Sequence, residues 1–207
     1  MLLGILIAGV ALLTASSANA ATLSVSNGSA FYIADQGERN DVDVAVDTLL
    51  GFPVYTFTDN DATPITLGVG NCELVNGIGM CSAAGVAGIF VNARDQDDTI
   101  KVAIGGPLGP VNTANTLIGG RGNDTVLGGN GPDRLKGNNG RDSLRGRRGA
   151  DFYKGGRGSD TLQTLDGAAD AFISCGEGRR DLLRADASDP APKSCELGNR
   201  SKRGKRR

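Results

Sequence analysis

The sequence of 207 residues contains no histidine and no tryptophan, and only 4% of its residues are aromatic. The absence of histidine excludes the commonest general base, the Ser–His and Cys–His nucleophile pairs and every histidine-ligated zinc site. The scarcity of large aromatic side chains disfavours a conventional layered core. A lysine or carboxylate base is still available, but the composition favours a protein that is not an enzyme.

Glycine is abundant instead, with 32 copies. This density is typical of regularly spaced tight turns or of disorder, and the hydrophobic fraction of 39% argues against disorder throughout. The net charge of −1 conceals an uneven distribution, because residues 21–118 hold eleven acidic and three basic residues while residues 119–163 hold five acidic and nine basic ones. The segment 202–207 adds five positive charges at the end of the sequence.

Residues 1–20 form an apolar run that ends in Ala18-Asn19-Ala20. This pattern predicts a secretory signal peptide cleaved after Ala20, and therefore an extracellular or cell-surface protein. The alternative is a membrane anchor, but about 13 apolar residues are too few to cross a ~30 Å hydrocarbon core. We therefore expect no transmembrane span in the mature protein.

Four cysteines are present, and an exported protein can form disulfides. Cys72 is close in sequence to Cys81, and Cys175 is close to Cys195, so local pairing is the simplest of three connectivities. A cysteine metal site is disfavoured because no C-x-x-C pair occurs. We predict two structural disulfides.

Residues 21–118 are predicted to form a region of short β-strands. Asn27-Gly28 favours a type I′ hairpin between residues 22–26 and 29–34, and the alternation of acid and valine over 41–48 predicts a half-buried strand. Further strands are expected at 53–58, 86–92 and 99–104. Four acids on and near this strand could form a metal site, namely Asp43, Asp47, Asp59 and Asp61. We favour the alternative, in which they lie on a solvated strand face and in the turn that follows.

Residues 119–163 divide into five consecutive nine-residue units, which are GGRGNDTVL, GGNGPDRLK, GNNGRDSLR, GRRGADFYK and GGRGSDTLQ. Positions 1 and 4 are always glycine, position 6 is always aspartate and position 8 is always a large apolar or aromatic residue. Strict glycines indicate a turn with positive φ or a close approach of the backbone. Position 8 is expected to point inward from a short strand. Each unit then supplies one turn and one strand, two units close one coil, and unit n stacks on unit n+2.

Stacked parallel strands lie about 4.8 Å apart, and Ca²⁺ prefers oxygen ligands at about 2.3–2.6 Å. A calcium ion between two stacked turns would receive an aspartate carboxylate and glycine-exposed carbonyls from both. This predicts sites at Asp124/Asp142, Asp142/Asp160 and Asp133/Asp151. The alternative is a metal-free stack, which would leave the aspartates to repel one another. The expected ligands are the carboxylates and turn backbones of Asp124, Asp133, Asp142, Asp151, Asp160, Gly119, Arg121, Gly122, Gly128, Asn130, Gly131, Gly137, Asn138, Gly140, Gly146, Arg147, Gly149, Gly156 and Gly158.

These units resemble the hemolysin-type, or RTX, calcium-binding repeat, G-G-x-G-x-D-x-U-x. The resemblance implies an all-β protein in which a short-stranded N-terminal region (21–118) runs into a right-handed parallel β-roll (119–163). A disulfide-bonded cap and basic tail (164–207) would follow, and the layout is similar to small secreted RTX-like proteins of actinobacteria. Position 2 departs from the pattern at Asn138 and Arg147. The flanks contain degenerate units in which Asp98 and Asp170 are candidates for additional metal ligands.

The leading hypothesis is a secreted, non-catalytic calcium-binding protein whose repeats fold on binding Ca²⁺. An alternative is an adhesion module that uses the basic surface and tail to bind anionic cell wall or polysaccharide, with no specific nucleic-acid partner. A less favoured alternative is an extracellular hydrolase. The H-E-x-x-H motif of RTX metalloproteases and the long hydrophobic segment of RTX pore-forming toxins are both absent from the sequence.

Overall fold

The structure is a computed structural model that describes residues 20–61, 64–105, 108–178, 180–195 and 197–200. Residues 1–19, which include nearly all of the predicted signal peptide, and the basic tail at 201–207 lie outside the described residues. Within them the fold is all-β, and no helix is long and apolar enough to cross a membrane. The predicted all-β class is therefore confirmed.

The strands of the N-terminal half are β1 (Ala21–Ser26), β2 (Ser29–Ile33), β3 (Asp41–Leu49), β4 (Phe52–Asp59), β5 (Ile65–Leu67), β6 (Cys72–Val75), β7 (Ile78–Ser82), β8 (Gly88–Asp95) and β9 (Thr99–Val102). Those of the C-terminal half are β10 (Thr116–Arg121), β11 (Thr125–Leu127), β12 (Arg134–Asn139), β13 (Ser143–Arg145), β14 (Phe152–Arg157), β15 (Thr161–Thr164), β16 (Phe172–Glu177), β17 (Leu182–Ala185) and β18 (Leu197–Arg200). Sheet A has the order β16-β14-β12-β10-β8-β2-β1-β5, and sheet B has the order β18-β17-β15-β13-β11-β9-β3-β4-β7-β6.

The repeats stack as parallel strands with the predicted two-unit coil. Thr116 pairs with Arg134 and Arg134 with Phe152 in sheet A, while Thr125 pairs with Ser143 in sheet B. Each of these pairs joins residues 18 positions apart, which is the length of two nine-residue units. The predicted stacking of unit n on unit n+2, which is the arrangement of a β-roll, is confirmed.

Within the repeats, the core lies between the two sheets and consists mainly of the position-8 side chains. These are fully buried in all five units, at Val126, Leu135, Leu144, Tyr153 and Leu162. Because successive strand residues point to opposite faces, the neighbours at positions 7 and 9 lie on the outer faces. Burial of one such side chain stabilises the fold by roughly 1.5–3 kcal/mol. A core without tryptophan is therefore built by repetition along the stack.

Both sheets continue into the N-terminal region without interruption. β8 pairs in parallel with β10 and β2, while β9 pairs in parallel with β11 and β3. The antiparallel pairs β1–β2, β3–β4 and β6–β7 close this end of the stack. The predicted hairpin at Asn27-Gly28 is confirmed, with both residues at positive φ. The strand expected over 86–92 begins later, at Gly88, and that expected over 99–104 ends at Val102.

The two predicted disulfides are confirmed. Cys72 and Cys81 are directly opposite each other on β6 and β7. Cys175 on β16 is bonded to Cys195, and the backbone of Lys193 exchanges hydrogen bonds with Cys175 and Ile173. The second disulfide therefore fastens the chain beyond β17 against the outer strand of sheet A.

Candidate metal centres at the two edges of the stack

The turns between the two sheets lie along two edges, each with its own column of aspartates. The first edge is defined by the turns that carry Asp98, Asp124, Asp142, Asp160 and Asp181. The second edge is defined by the turns that carry Asp133, Asp151, Asp170 and Asp189. The first-edge turns lead from sheet A to sheet B, and the second-edge turns lead back. All nine aspartates are buried. Successive nine-residue units therefore contribute their turns to the first and the second edge in alternation.

On the first edge, each aspartate is hydrogen-bonded to the next turn in one regular pattern. Oδ1 of Asp124 accepts the N–H of Asp98 at 3.0 Å, and Oδ1 of Asp142 accepts that of Asp124 at 2.9 Å. Oδ1 of Asp160 accepts the N–H of Asp142 at 3.0 Å, and Oδ1 of Asp181 accepts that of Asp160 at 2.9 Å. One oxygen of each carboxylate is therefore used to join successive turns.

The other oxygen, Oδ2, is buried without a protein hydrogen-bond partner in all five first-edge aspartates. A buried, unpaired polar atom costs about 1–3 kcal/mol, and more when it is charged. Burial accordingly raises the pKa of Asp124 and Asp142 to about 6, and that of Asp98 and Asp160 to about 7. A column of oxygen atoms that no protein group satisfies fits a bound cation with oxygen ligands.

The glycine at position 1 makes room for the aspartate of its own unit. A Cβ at Gly119 would overlap the carboxylate of Asp124, and a Cβ at Gly137 would overlap that of Asp142. The position-1 glycines are not at positive φ, so close approach alone requires them. The aspartate carboxylate of each of these units therefore lies against the backbone of the position-1 glycine in the same unit.

The glycine at position 4 sets the spacing between turns. Gly140 has φ +136° and Gly158 has φ +129°, which side chains rarely adopt. A Cβ at Gly140 would also overlap the carbonyl oxygen of Gly122, and a Cβ at Gly158 would overlap that of Gly140. Each turn therefore lies with its position-4 carbon directly over a carbonyl of the turn before it.

The second edge has the same pattern of N–H to Oδ1 bonds, but of its four aspartates only Asp170 has an Oδ2 without a hydrogen-bond partner. Oδ2 of Asp133 accepts the N–H of Gly129 at 2.6 Å, and Oδ2 of Asp151 faces the Tyr153 hydroxyl at 3.4 Å. Gly129 is not at positive φ, unlike its first-edge equivalent Gly120. Asp133 is therefore satisfied by the protein to an extent that first-edge aspartates are not.

Arg147 brings a positive charge to this part of the second edge. It occupies position 2 of the fourth unit with φ +74°, and its Nη1 donates to the carbonyls of Gly128 at 2.7 Å and Val102 at 2.5 Å. Burial raises the pKa of Asp133 to about 6, and the nearby Arg147 guanidinium acts in the opposite direction. The side chain of Arg147, in addition to its backbone, therefore contributes to this site.

Each column begins with an asparagine in place of aspartate. Oδ1 of Asp98 accepts the backbone N–H of Asn40 at 2.7 Å and its Nδ2 at 3.3 Å. Asn115 donates to Asp133 in the same way, at 3.0 and 2.7 Å. Sequence reasoning missed both residues, although Asn115 lies 18 residues before Asp133, one coil length away. Because the side-chain amide of asparagine is neutral, the first turn of each column adds no negative charge.

The C-terminal flank extends both columns beyond the regular units. Asp170, an expected candidate, accepts the N–H of Asp151 at 3.0 Å, and Asp181 takes the equivalent place on the first edge. Asp181 and Asp189 were not among the predicted ligands. Their turns contain extra residues, which hide the nine-residue spacing in the sequence. Asp98, the candidate in the N-terminal flank, lies in the first-edge column.

The acids on and after β3 have protein partners. Lys101 lies 2.7 Å from Asp41 and 3.6 Å from Asp43, and Arg39 lies 3.4 Å from Asp61. Asp59 accepts the Tyr32 hydroxyl at 2.5 Å. These carboxylates do not form a further aspartate column.

Comparison with known families identifies the array. The family model of the RTX calcium-binding nonapeptide repeat matches residues 112–131 and 127–162, in four copies. The chain carries hemolysin-type RTX repeats. RTX nonapeptide repeats bind Ca²⁺, and the unpaired first-edge Oδ2 atoms fit that ion. The match covers less than half of the chain, and no curated protein or solved structure matches significantly.

Proposed function

We propose that this is a secreted, non-catalytic protein whose RTX array is ordered by Ca²⁺ bound between successive first-edge turns. The observation that carries the proposal is the column of buried Oδ2 atoms without protein partners. Calcium supplies positive charge to a column of carboxylates, and it accepts the six to eight oxygen ligands that two turns can offer. Mg²⁺ fits less well, because it requires shorter bonds and near-octahedral geometry.

The proposed first-edge ions are shared between neighbouring aspartates. Asp124 with Asp142, and Asp142 with Asp160, form the two pairs that the sequence also predicts. The column adds Asp98 and Asp181 as partners at its two ends. Asp124, Asp142 and Asp160 would then each contribute to two ions. For Asp133 and Asp151 the spacing predicts a third site, but the N–H of Gly129 already serves Oδ2 of Asp133, so we place the calcium dependence of the regular repeats mainly on the first edge.

Export is proposed because it would supply both calcium and an oxidising environment. Extracellular modules bind calcium at about 10⁻⁴–10⁻³ M, a concentration that the cytosol does not reach. The two disulfides are compatible with an oxidising compartment. Binding and ordering would then be one event outside the cell.

The proposal is tested by far-UV circular dichroism of protein stripped of divalent ions with a chelator. We expect a cooperative gain of β signal with Ca²⁺ and a much weaker one with Mg²⁺ at the same concentration. An identical spectrum and melting temperature with calcium and with chelator would contradict the proposal.

A second candidate function is adhesion to an anionic polymer, which the outer face of sheet A favours. Phe152 stacks on Phe172 at 4.5 Å, Arg134 lies 4.5 Å above the ring of Phe152, and Lys193 lies 5.1 Å from that of Phe172. Rows of aromatic and basic groups bind anionic chains through charge and stacking. Retention on an immobilised anionic polysaccharide that is equal for the protein and for Arg134→Ala would count against this function.

A further inference from the structure

Three aspartates meet at the C-terminal end of the second edge, two of them beyond the matched repeats. Asp151, Asp166 and Asp170 each place a carboxylate oxygen within 4.8 Å of the other two. Asp151 is fully buried and Asp170 is only 7% exposed. Asp166 was not a candidate from the sequence, because it occupies no conserved position of the nine-residue unit.

The protein satisfies only half of each carboxylate. Oδ1 of all three accepts a backbone N–H, at 2.7 to 3.0 Å. Oδ2 of Asp166 and of Asp170 is buried with no hydrogen-bond partner, and Oδ2 of Asp151 has the Tyr153 hydroxyl at 3.4 Å. The Oδ2 atoms are therefore the ones left for a ligand, and a group as buried as Asp170 requires one.

The spacing fits one ion. Two oxygens bound to the same Ca²⁺ at 2.3–2.6 Å are at most about 4.6–5.2 Å apart. The separation of 4.8 Å or less among the three aspartates lies within that limit. Three carboxylates held this close favour a hard divalent cation, since their mutual repulsion is otherwise uncompensated.

The turn that brings Asp166 to this place differs from the regular one. Phe172 pairs with Phe152 at a spacing of 20 residues instead of 18, so this coil contains two extra residues. Oδ2 of Asp186, from the following turn, accepts the N–H groups of Asp166 at 2.9 Å and Gly167 at 2.7 Å. The longer turn is thus fixed by hydrogen bonds to the following turn. It adds the carboxylate of Asp166 to the pair formed by Asp151 and Asp170.

We propose that Asp151, Asp166 and Asp170 bind one Ca²⁺ through side-chain carboxylates, at a site separate from the first-edge ions. The identity of the ion rests on the proposed function, but the site itself rests on the three carboxylates. It differs from the regular inter-turn site in having a third aspartate and a turn without the regular glycines. The site closes the second edge where the regular units end.

Tb³⁺ is the probe, because it replaces Ca²⁺ and emits when a nearby tyrosine absorbs. Tyr153 is the only tyrosine in the repeats and lies beside Asp151. We expect Tb³⁺ emission that Ca²⁺ displaces, and the component from this site is the part lost in Tyr153→Phe. Asp166→Asn should abolish that component and lower the number of Ca²⁺ bound per chain, measured by calorimetry, by one.

Glu177→Gln is the matched control, because it also removes one negative charge but lies on an exposed side chain that pairs with Arg157. It should leave the emission and the calcium count unchanged. Full Tyr153-dependent emission and an unchanged calcium count in Asp166→Asn would overturn the proposal. Asp142→Asn distinguishes failure of the three-aspartate site from failure of the proposed function. If Asp142→Asn impairs calcium-induced ordering while Asp166→Asn has no effect, only the three-aspartate site is refuted.

Discussion

The substitution Asp142→Asn should remove the calcium-dependent stability of two ions, and therefore more than a substitution at either end of the first-edge column, Asp98 or Asp181. Asn keeps the shape of the side chain and can still accept the N–H of Asp124 at Oδ1, a bond of 2.9 Å in the structure. What it loses is the charged Oδ2, which no protein group binds. The calcium-free fold is therefore expected to lose no stability, because the substitution removes a buried charge that no protein group compensates.

The magnitude follows from mass action. At about 10 mM Ca²⁺, a site with a Kd of about 10⁻⁴–10⁻³ M stabilises the folded state by about 1.4–2.7 kcal/mol. Asp142 contributes to two proposed ions, so Asp142→Asn should lose about 3–5 kcal/mol of calcium-dependent stability. The assay is urea unfolding with and without calcium, and the quantity compared is the difference between the two free energies of unfolding.

Asp133→Asn is the matched control, at the same repeat position but on the second edge. There the new amide would face the N–H of Gly129, which now donates to Oδ2 at 2.6 Å. We expect a loss of about 1–3 kcal/mol that is the same with and without calcium. The reasoning is refuted if Asp133→Asn reduces the calcium-dependent part as much as Asp142→Asn does.

Three further changes have defined outcomes. Because burial raises the pKa of Asp142 to about 6 and of Asp160 to about 7, their contribution to calcium-free stability is present below about pH 4 and lost as the pH rises through 6–7. Melting in chelator should therefore occur at a higher temperature at pH 5 than at pH 8, and equal values would contradict this. Gly140→Ala should cost at least about 1–3 kcal/mol by chemical denaturation, while Gly105→Ala, where a Cβ meets no atom within 4 Å, should cost much less. Arg147→Gly should increase the rise in melting temperature that calcium causes, whereas Asn138→Gly, at the equivalent first-edge position, should not; equal rises would show that the guanidinium does not take part.

The regular part of the fold could be predicted from the sequence because the invariant positions of the repeat each meet one structural requirement. Position 8 supplies the core, and position 1 makes room for the aspartate. Position 4 carries the positive φ in four of the five units, the exception being Gly131. Since two units close one coil, the 18-residue register follows from the nine-residue period. The local disulfides could also be predicted, because Cys72 and Cys81 lie on adjacent strands of one hairpin.

Other features depend on contacts that leave no periodic signal. Asn40 occupies the start of the first-edge column, but 58 residues separate it from Asp98 and no repeat links them. The reach of Arg147 to Val102 spans 45 residues. Asp166 becomes part of a cluster only because its turn is two residues longer, and insertions of this kind erase the spacing on which sequence reasoning relies. The parallel pairing of β2 with β8 and of β3 with β9 likewise has no counterpart in a sequence period.

The most direct test of the central claim is a crystal structure grown with calcium, with anomalous scattering used to locate the ions. The account predicts peaks between successive first-edge turns, about 2.3–2.6 Å from Oδ2 of Asp124, Asp142 and Asp160. First-edge turns that show only water beside these oxygens in saturating calcium would contradict it.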